Sequence, residues 1–135
     1  NQQSGLVPKN GNLKNRIMRM PQYEFKNKNK DLYALAITER IKIDLENLTQ
    51  IAFQNAKNVA PEIKIITREY RIVNGIKVIY MQMDGTVQGI KFSYFGYYYS
   101  DKSGSTQLLV YTASNLADKY KIEIENFLNG LSIQL

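Results

Sequence analysis

The side chains that could carry chemistry in this 135-residue chain are tyrosines, lysines and isolated acids, because histidine and cysteine are both absent. Without histidine the chain lacks the commonest general base near neutral pH and a common metal ligand. Without cysteine it has no thiolate nucleophile, no disulfide and no Cys-ligated metal, and its redox compartment stays open. The composition therefore excludes Ser-His and Cys-His catalysis.

The remaining glycines and acids form no cofactor or metal motif. Gly85 and Gly89 have the spacing of a hairpin and a bulge, and no Gly-Lys-Ser/Thr follows them as a phosphate-binding loop requires. Asp118, Glu123 and Glu125 could form an acid/base set, but a spacing of two on a helix directs side chains apart, so we interpret them as a solvated helix face. We expect no catalytic residues, no cofactor and no metal site.

Aromatic residues are concentrated in one segment, which contains Phe92, Tyr94, Phe95, Tyr97, Tyr98 and Tyr99. Tyrosines exposed on a sheet can stack on sugars or bases, or form the centre of a protein interface. The alternative is that these rings pack under helices or across strands. We select Tyr94, Tyr97 and Tyr99 as candidate contact residues for a protein partner, and expect Tyr97→Ala with Tyr99→Ala to weaken capture with little change in thermal stability.

Positive charge is concentrated at the beginning of the chain. The net charge is +6, and in residues 1–30 basic groups outnumber acidic ones by seven to one. The candidate basic arm comprises Lys14, Arg16, Arg19, Lys26, Lys28 and Lys30. Such an arm suits nucleic acid or an acidic membrane surface, but asparagines dilute the charge and no nucleic-acid module is recognisable. We therefore favour solvated lysines and keep nucleic-acid binding as an alternative.

The chain between Leu32 and Val59 predicts a strand followed by a helix. Apolar residues alternate from Leu32 to Ile43, which is typical of a strand. Asp44 can cap a helix, apolar residues then recur at helical spacing, and Pro61 prevents continuation. We expect the first helix at about residues 45–59.

Glycine-containing turns divide the next segment into four antiparallel strands. Asn74-Gly75 is a strong hairpin signal because both residues tolerate the positive φ of a type I′ turn. Asp84-Gly85 repeats the signal, and the loop from Ser100 to Gly104 supplies a third turn. Gly89 or Gly96 could form a bulge in the long strand between the last two turns.

A second helix closes the chain. Ser114 is its expected N-cap, Gly130 its end, and its apolar stripe comprises Leu116, Tyr120, Ile124, Phe127 and Leu128. Strands that are apolar on both sides need cover on both faces of the sheet. The sequence thus predicts an α+β fold with an antiparallel β-sheet of about five to seven strands sandwiched by helices (α/β/α). We expect residues 1–15 to form a loose tail, residues 16–135 to form one domain, and no segment to span a membrane.

This order of elements resembles the PsbP-like superfamily, which includes Mog-type Ran-binding and DcrB-like proteins. The similar parts are Leu32 to Ile37 leading into the helix at Leu48 to Ala52, the hairpin at Ile72 to Ile76, the aromatic strand Phe92 to Tyr99, and Leu108 to Ala113 with the closing helix. The resemblance implies an α/β/α sandwich whose family members mostly bind or assist other proteins. It also implies an exported or lipid-anchored bacterial protein, and favours a periplasmic or extracellular location.

The leading hypothesis is a non-enzymatic binding or accessory domain that contacts another protein. A second hypothesis is an enzyme that uses lysine, tyrosine and acids in a pocket between sheet and helix, which requires a convergent polar cluster with shifted titration. A third is electrostatic binding of nucleic acid through the basic arm.

Overall fold

The computed structural model describes residues 31–132 and the backbone of residues 16–19. In chain order the elements are β1 (Arg16–Arg19), β2 (Leu32–Glu39), α1 (Leu45–Val59), β3 (Lys64–Val73), β4 (Ile76–Val87), β5 (Ile90–Asp101), β6 (Gly104–Ala113), a 3-10 turn (Ser114–Leu116) and α2 (Lys121–Leu128). Within this part of the chain, six strands form one sheet in the order β1-β2-β6-β5-β4-β3. Every neighbouring pair is antiparallel. The predicted α+β class with an antiparallel sheet is confirmed, and the tail predicted for residues 1–15 lies outside the described residues.

Each helix packs against a different face of the sheet. On one face, here called the α1 face, Leu48 and Ala52 of α1 are buried against Ile79, Met81 and Tyr98. The opposite face, here called the α2 face, buries another set of strand residues under Tyr120 and the stripe Ile124, Phe127 and Leu128. Alternate residues of β4 and β5 therefore enter two separate cores, which is why both sides of these strands are apolar.

The first helix has the predicted bounds. Asp44 accepts a hydrogen bond from the backbone N–H of Asn47 at 2.9 Å, so it is the N-cap. The preceding strand is shorter than predicted, since β2 ends at Glu39 rather than near Ile43. Its antiparallel partner β6 begins at Gly104, and Glu39 is paired with Ser105, so β2 ends beside the first residues of its partner.

The first hairpin turn is confirmed and the second prediction is wrong. Asn74 and Gly75 have φ of 50° and 82°, as a type I′ turn requires. Strand β4 instead continues through Gly85, and the turn lies at Gln88 and Gly89, both with positive φ. A Cβ at Gly85 would lie 3.0 Å from Cβ of Ala60, so this glycine allows the segment after α1 to pack closely on the strand.

The second helix begins later than predicted. Residues Ser114–Leu116 form a 3-10 turn, and α2 starts only at Lys121. Ser114 does not cap a helix, since it is the first residue of the 3-10 turn, and its Oγ shares a hydrogen bond with Oγ of Ser93 at 2.8 Å. The apolar stripe of this segment nevertheless packs on the sheet as predicted.

Candidate functional site

Tyr97 is a core residue, so its selection as a surface contact is wrong. Its ring lies on the α2 face and is 1% exposed. The hydroxyl donates to Oδ1 of Asn129 at 2.6 Å and accepts from Nη1 of Arg71 at 3.2 Å. A ring held in this way fixes the segment after α2 to the sheet and offers no area to a partner.

The other two selected tyrosines lie on opposite faces of β5. Tyr99 is on the α2 face, partly buried, and its hydroxyl donates to Oδ2 of Asp101 at 3.0 Å. Burial and this carboxylate both raise its pKa. Tyr94 lies on the α1 face, because residues separated by an odd number along a strand point to opposite sides. The structure therefore does not bring Tyr94, Tyr97 and Tyr99 together.

Tyr94 instead belongs to a row of four rings that crosses three strands on the α1 face. The register places Tyr33 of β2 opposite Tyr111 of β6, and Tyr111 opposite Tyr94 of β5. Ring centroids of Tyr33 and Tyr111 are 5.3 Å apart, and those of Tyr111 and Tyr94 are also 5.3 Å apart. Phe92 extends the group, with its centroid 6.3 Å from Tyr94 and 6.2 Å from Tyr111. We call Tyr33, Phe92, Tyr94 and Tyr111 the aromatic row.

Neighbouring tyrosine rings of the row are stacked or tilted against one another. Their planes are inclined by 25° between Tyr33 and Tyr111 and by 31° between Tyr94 and Tyr111. Centroid separations close to the strand spacing of about 4.8 Å place each ring in contact with its neighbour across the strands. The row is therefore a continuous aromatic contact that runs across β2, β6 and β5.

The described helices leave the β2 side of the aromatic row uncovered. Helix α1 packs over β4 and β5 on this face, where Tyr94 contacts the core beneath it. Burial raises the pKa of Tyr94, and neighbouring Tyr111 adds to the effect, so this phenol stays protonated near neutral pH. Tyr33 at the other end is 46% exposed, and its strand neighbours Leu35 and Ile37 are partly exposed. The aromatic row is therefore packed against the core at Tyr94 and exposed at Tyr33.

Sequence reasoning identified Tyr94 and missed the other members of the row as site residues. Tyr33 and Tyr111 are 78 residues apart, and only strand register makes them neighbours. A local signal existed, since Tyr33 and Tyr111 each occupy an alternating position on a predicted strand. That signal gives the parity of a residue but not the strand that lies beside it.

A polar cleft lies on the α2 face between β3, β4, β5 and the beginning of α2. Its volume is about 330 Å³, and its lining includes Arg71, Tyr80, Asp118, Lys121 and Glu125. It thus contains the Lys, Tyr and acid side chains that the enzyme hypothesis names, and enzymatic activity stays a prediction. Asp118 and Glu125, interpreted above as part of a solvated helix face, line this cleft.

Arg71 organises the floor of the cleft. Its guanidinium carbon lies 3.8 Å from the ring centroid of Tyr80, and its Nε donates to Oε2 of Glu69 at 2.7 Å. Burial raises the pKa of Tyr80, although the Arg71 charge opposes that effect. The Tyr80 hydroxyl is therefore protonated near neutral pH and can donate a hydrogen bond, but it is not a base.

The basic arm is placed only in part. Lys14, Lys26, Lys28 and Lys30 lie outside the described residues, and Arg16 and Arg19 belong to β1, which pairs with β2. Nucleic-acid binding through the arm stays a prediction. Within residues 31–132, no group of three or more acidic residues is close enough to hold a metal ion. No helix in the described part of the chain is both long and apolar enough to cross a membrane.

Comparison with known proteins identifies the fold. No protein-family profile matches this chain, and no curated protein matches it. The structure is similar to that of PA94, a protein of unknown function from Pseudomonas aeruginosa, with a TM-score of 0.69 and 9% identity over 88% of this chain and 82% of that chain. It is also similar to LpqN, involved in cell envelope biogenesis of Mycobacterium tuberculosis, with a TM-score of 0.51 and 12% identity over 80% of this chain and 65% of LpqN. At these identities the likeness concerns the fold alone, and membership of the PsbP-like superfamily stays a prediction.

Proposed function

We propose that this chain is a non-enzymatic accessory domain, built as an α/β/α sandwich, that binds another protein through the aromatic row. The single observation that carries the proposal is the row itself: four rings, each in contact with at least one other, with Tyr33 46% exposed and not covered by either described helix. A tyrosine has only two side-chain torsions, so a prearranged row loses little entropy when a partner binds.

The contacts between neighbouring rings favour a protein over a sugar or a nucleic-acid base. Sugars and bases bind aromatic side chains by stacking on an open ring face. In this row Tyr111 lies between Tyr33 and Tyr94, with each ring centroid 5.3 Å away, so neighbouring rings occupy both sides of it. Adjoining rings with their hydroxyl groups suit a mixed apolar and hydrogen-bonding surface, such as that of a folded protein.

Site-specific photocrosslinking tests the proposal. A photoreactive phenylalanine at position 33 should give one covalent adduct in extracts of the native source, and the matched probe at Ile122 should give none. Ile122 is a suitable control because it is 74% exposed and lies on α2, away from the row. Competition by the unlabelled chain, but not by a Tyr33→Ser variant, should reduce the adduct.

Three outcomes contradict the proposal. Equal adducts at both positions would indicate nonspecific capture. An adduct that mass spectrometry maps to residues 1–30 of the same chain would show that the row is covered internally. The absence of any adduct at position 33, in extracts where the purified chain recovers a partner through other positions, would move the contact surface elsewhere.

The envelope is the proposed location. The PsbP-like resemblance implies an exported or lipid-anchored bacterial protein, and LpqN, which shares the fold, is described as involved in cell envelope biogenesis. Fractionation of the native source checks this, since recovery of the chain in the cytosol would contradict it.

A second candidate function, recognition or turnover of a small charged ligand, is favoured by the α2-face cleft. Both signs of charge line it, with Arg71 and Lys121 opposed by Asp118 and Glu125. A small zwitterion, such as an amino acid, could satisfy both. Thermal-shift measurements with free amino acids test this, because a rise for the parent chain that Lys121→Ala abolishes would support the site, and no rise at millimolar ligand would remove it.

A further inference from the structure

The outer edge of β3 is a free edge of the sheet as far as the described residues extend. Strand β3 is last in the strand order and pairs with β4 alone. It is ten residues long. An edge strand presents unpaired N–H and C=O groups that can hydrogen-bond a further strand.

This edge strand exposes apolar and charged side chains side by side. Four large apolar side chains of β3 are exposed, namely Ile65 at 40%, Ile66 at 52%, Tyr70 at 47% and Ile72 at 72%. The strand contains no proline. Its pairing with β4 is irregular between Ile65 and Thr67, so the regular edge runs from Thr67 to Val73. Charged side chains discourage the pairing of edge strands, so a strand that pairs with this edge must match the charges of Arg68, Glu69 and Arg71.

We propose that β3 pairs antiparallel with β3 of a second copy of this chain, so that two sheets join across a two-fold axis with Tyr70 at its centre. An axis perpendicular to the sheet keeps the α1 face and the α2 face of the two copies continuous. Directly opposed residues of the two copies must then lie on the same face of the joined sheet. Since faces alternate along a strand, this holds only for registers in which one residue of β3 lies opposite the same residue of the second copy.

One of these registers pairs opposite charges. Centring the axis on Arg68, Glu69 or Arg71 places that residue opposite its own copy, which is destabilising, and centring it on Thr67 or Ile72 leaves Glu69 without a cation opposite it. Centring it on Tyr70 places Glu69 opposite the partner's Arg71, and Arg71 opposite the partner's Glu69. The two residues already form a salt bridge at 2.7 Å within one chain, so both side chains lie on the same face at the required position.

The same register also fits on the α1 face. Tyr70 lies opposite the partner's Tyr70, and cross-strand aromatic pairs stabilise antiparallel sheets. Ile72, the most exposed of the four apolar residues, lies opposite the partner's Arg68, whose aliphatic stem can cover it. Arg68 is held on this face by its hydrogen bond to Glu46 of α1 at 2.5 Å.

Cysteine crosslinking tests the register, because the chain contains no native cysteine. Opposed Cβ atoms in an antiparallel pair are about 4.5–5.5 Å apart, close to disulfide range. Tyr70→Cys should therefore give a covalent dimer under mild oxidation. Ile72→Cys is the matched control, because its copies would be four residue steps apart, roughly 13 Å, and should stay monomeric on a reducing-agent-free gel.

Sedimentation measurements complete the test. The unmodified chain should show a concentration-dependent dimer, and Glu69→Lys should raise its dissociation constant roughly tenfold or more, since it creates two like-charged pairs. Glu62→Lys, which makes the same charge change at an exposed site outside β3, should not. A chain that stays monomeric at all concentrations and gives no Tyr70→Cys disulfide would overturn the proposal. Crosslinking of Ile72→Cys in preference to Tyr70→Cys would overturn it as well, and so would a dimer whose dissociation constant does not change with Glu69→Lys.

Discussion

Removing the hydroxyl group from each of two adjacent tyrosines of β5 should change the stability of the fold in opposite directions. Tyr98 is fully buried on the α1 face, and its hydroxyl has no hydrogen-bond partner among the described residues. Tyr97 is equally buried on the α2 face, but its hydroxyl bonds Asn129 and Arg71. The substitutions Tyr98→Phe and Tyr97→Phe remove one oxygen atom each and preserve the ring.

The expected magnitudes follow from the burial of the two hydroxyls. A buried hydroxyl without a partner costs about 1–3 kcal/mol in lost hydration, so Tyr98→Phe should raise the free energy of unfolding by about 1–2 kcal/mol. Tyr97→Phe leaves Oδ1 of Asn129 and one N–H of Arg71 without their partner, and should lower it by about 1–3 kcal/mol. The two variants should therefore differ by about 2–5 kcal/mol.

Urea unfolding at pH 7 followed by circular dichroism measures both values, with equal m-values showing that the same surface is exposed. A Tyr98→Phe variant less stable than the parent chain would refute the reasoning, because the hydroxyl would then have a partner such as a buried water. The Tyr97→Phe variant is the internal control for any general effect of losing a tyrosine hydroxyl from β5.

The buried Tyr98 hydroxyl should also affect stability at alkaline pH. Burial raises the pKa of Tyr98 above its ordinary value near 10. Above pH 10 the unfolded chain therefore releases the phenol proton while the folded chain retains it, and stability falls as pH rises. Tyr98→Phe removes this contribution, so its free energy of unfolding should fall less steeply between pH 10 and 11 than that of the parent chain.

Four further substitutions, in two matched pairs, test the turn and cap assignments. Gly104→Ala should lower the free energy of unfolding by at least about 2 kcal/mol, because Gly104 has φ of 142° and a Cβ there would collide with the backbone carbonyl of Glu39. Gly89→Ala, at φ of 81° with open space around it, should lower it by only about 1 kcal/mol. Equal losses of stability in thermal unfolding would contradict the close approach of Glu39 to Gly104. Asp44→Ala should cost about 1 kcal/mol by removing the hydrogen bond to the Asn47 N–H, whereas Asp44→Ser should retain most of the stability, and urea titration distinguishes the two.

Local chemistry in the sequence is sufficient to predict the features that depend on a few neighbouring residues. The bounds of α1 follow from a capping aspartate and a proline that ends the helix. The Asn74-Gly75 turn follows from two residues that tolerate positive φ. These predictions need no knowledge of the remaining chain, because the atoms that decide them lie within one helical or hairpin turn.

Tertiary packing decides the features for which local chemistry offers two answers. Asp84-Gly85 has the composition of a turn, but strand β4 continues through it, and the glycine instead makes room for Ala60 to pack against the strand. Ser114 has the composition of a cap, but Ser93 on the neighbouring strand takes its hydroxyl. In each case the competing partner is distant in sequence, so no local pattern contains it.

The aromatic row shows the same division most clearly. Alternation along β5 predicts that Tyr94 and Tyr97 point to opposite sides of the sheet, but it does not predict which side a helix covers. Strand register places Tyr33, Tyr111 and Tyr94 side by side, and the position of α1 over β4 and β5 leaves Tyr33 exposed. The sequence determined which residues could form a contact surface, and only the pairing of strands distant in the chain decided which of them do, because register and helix docking are set by the whole core at once.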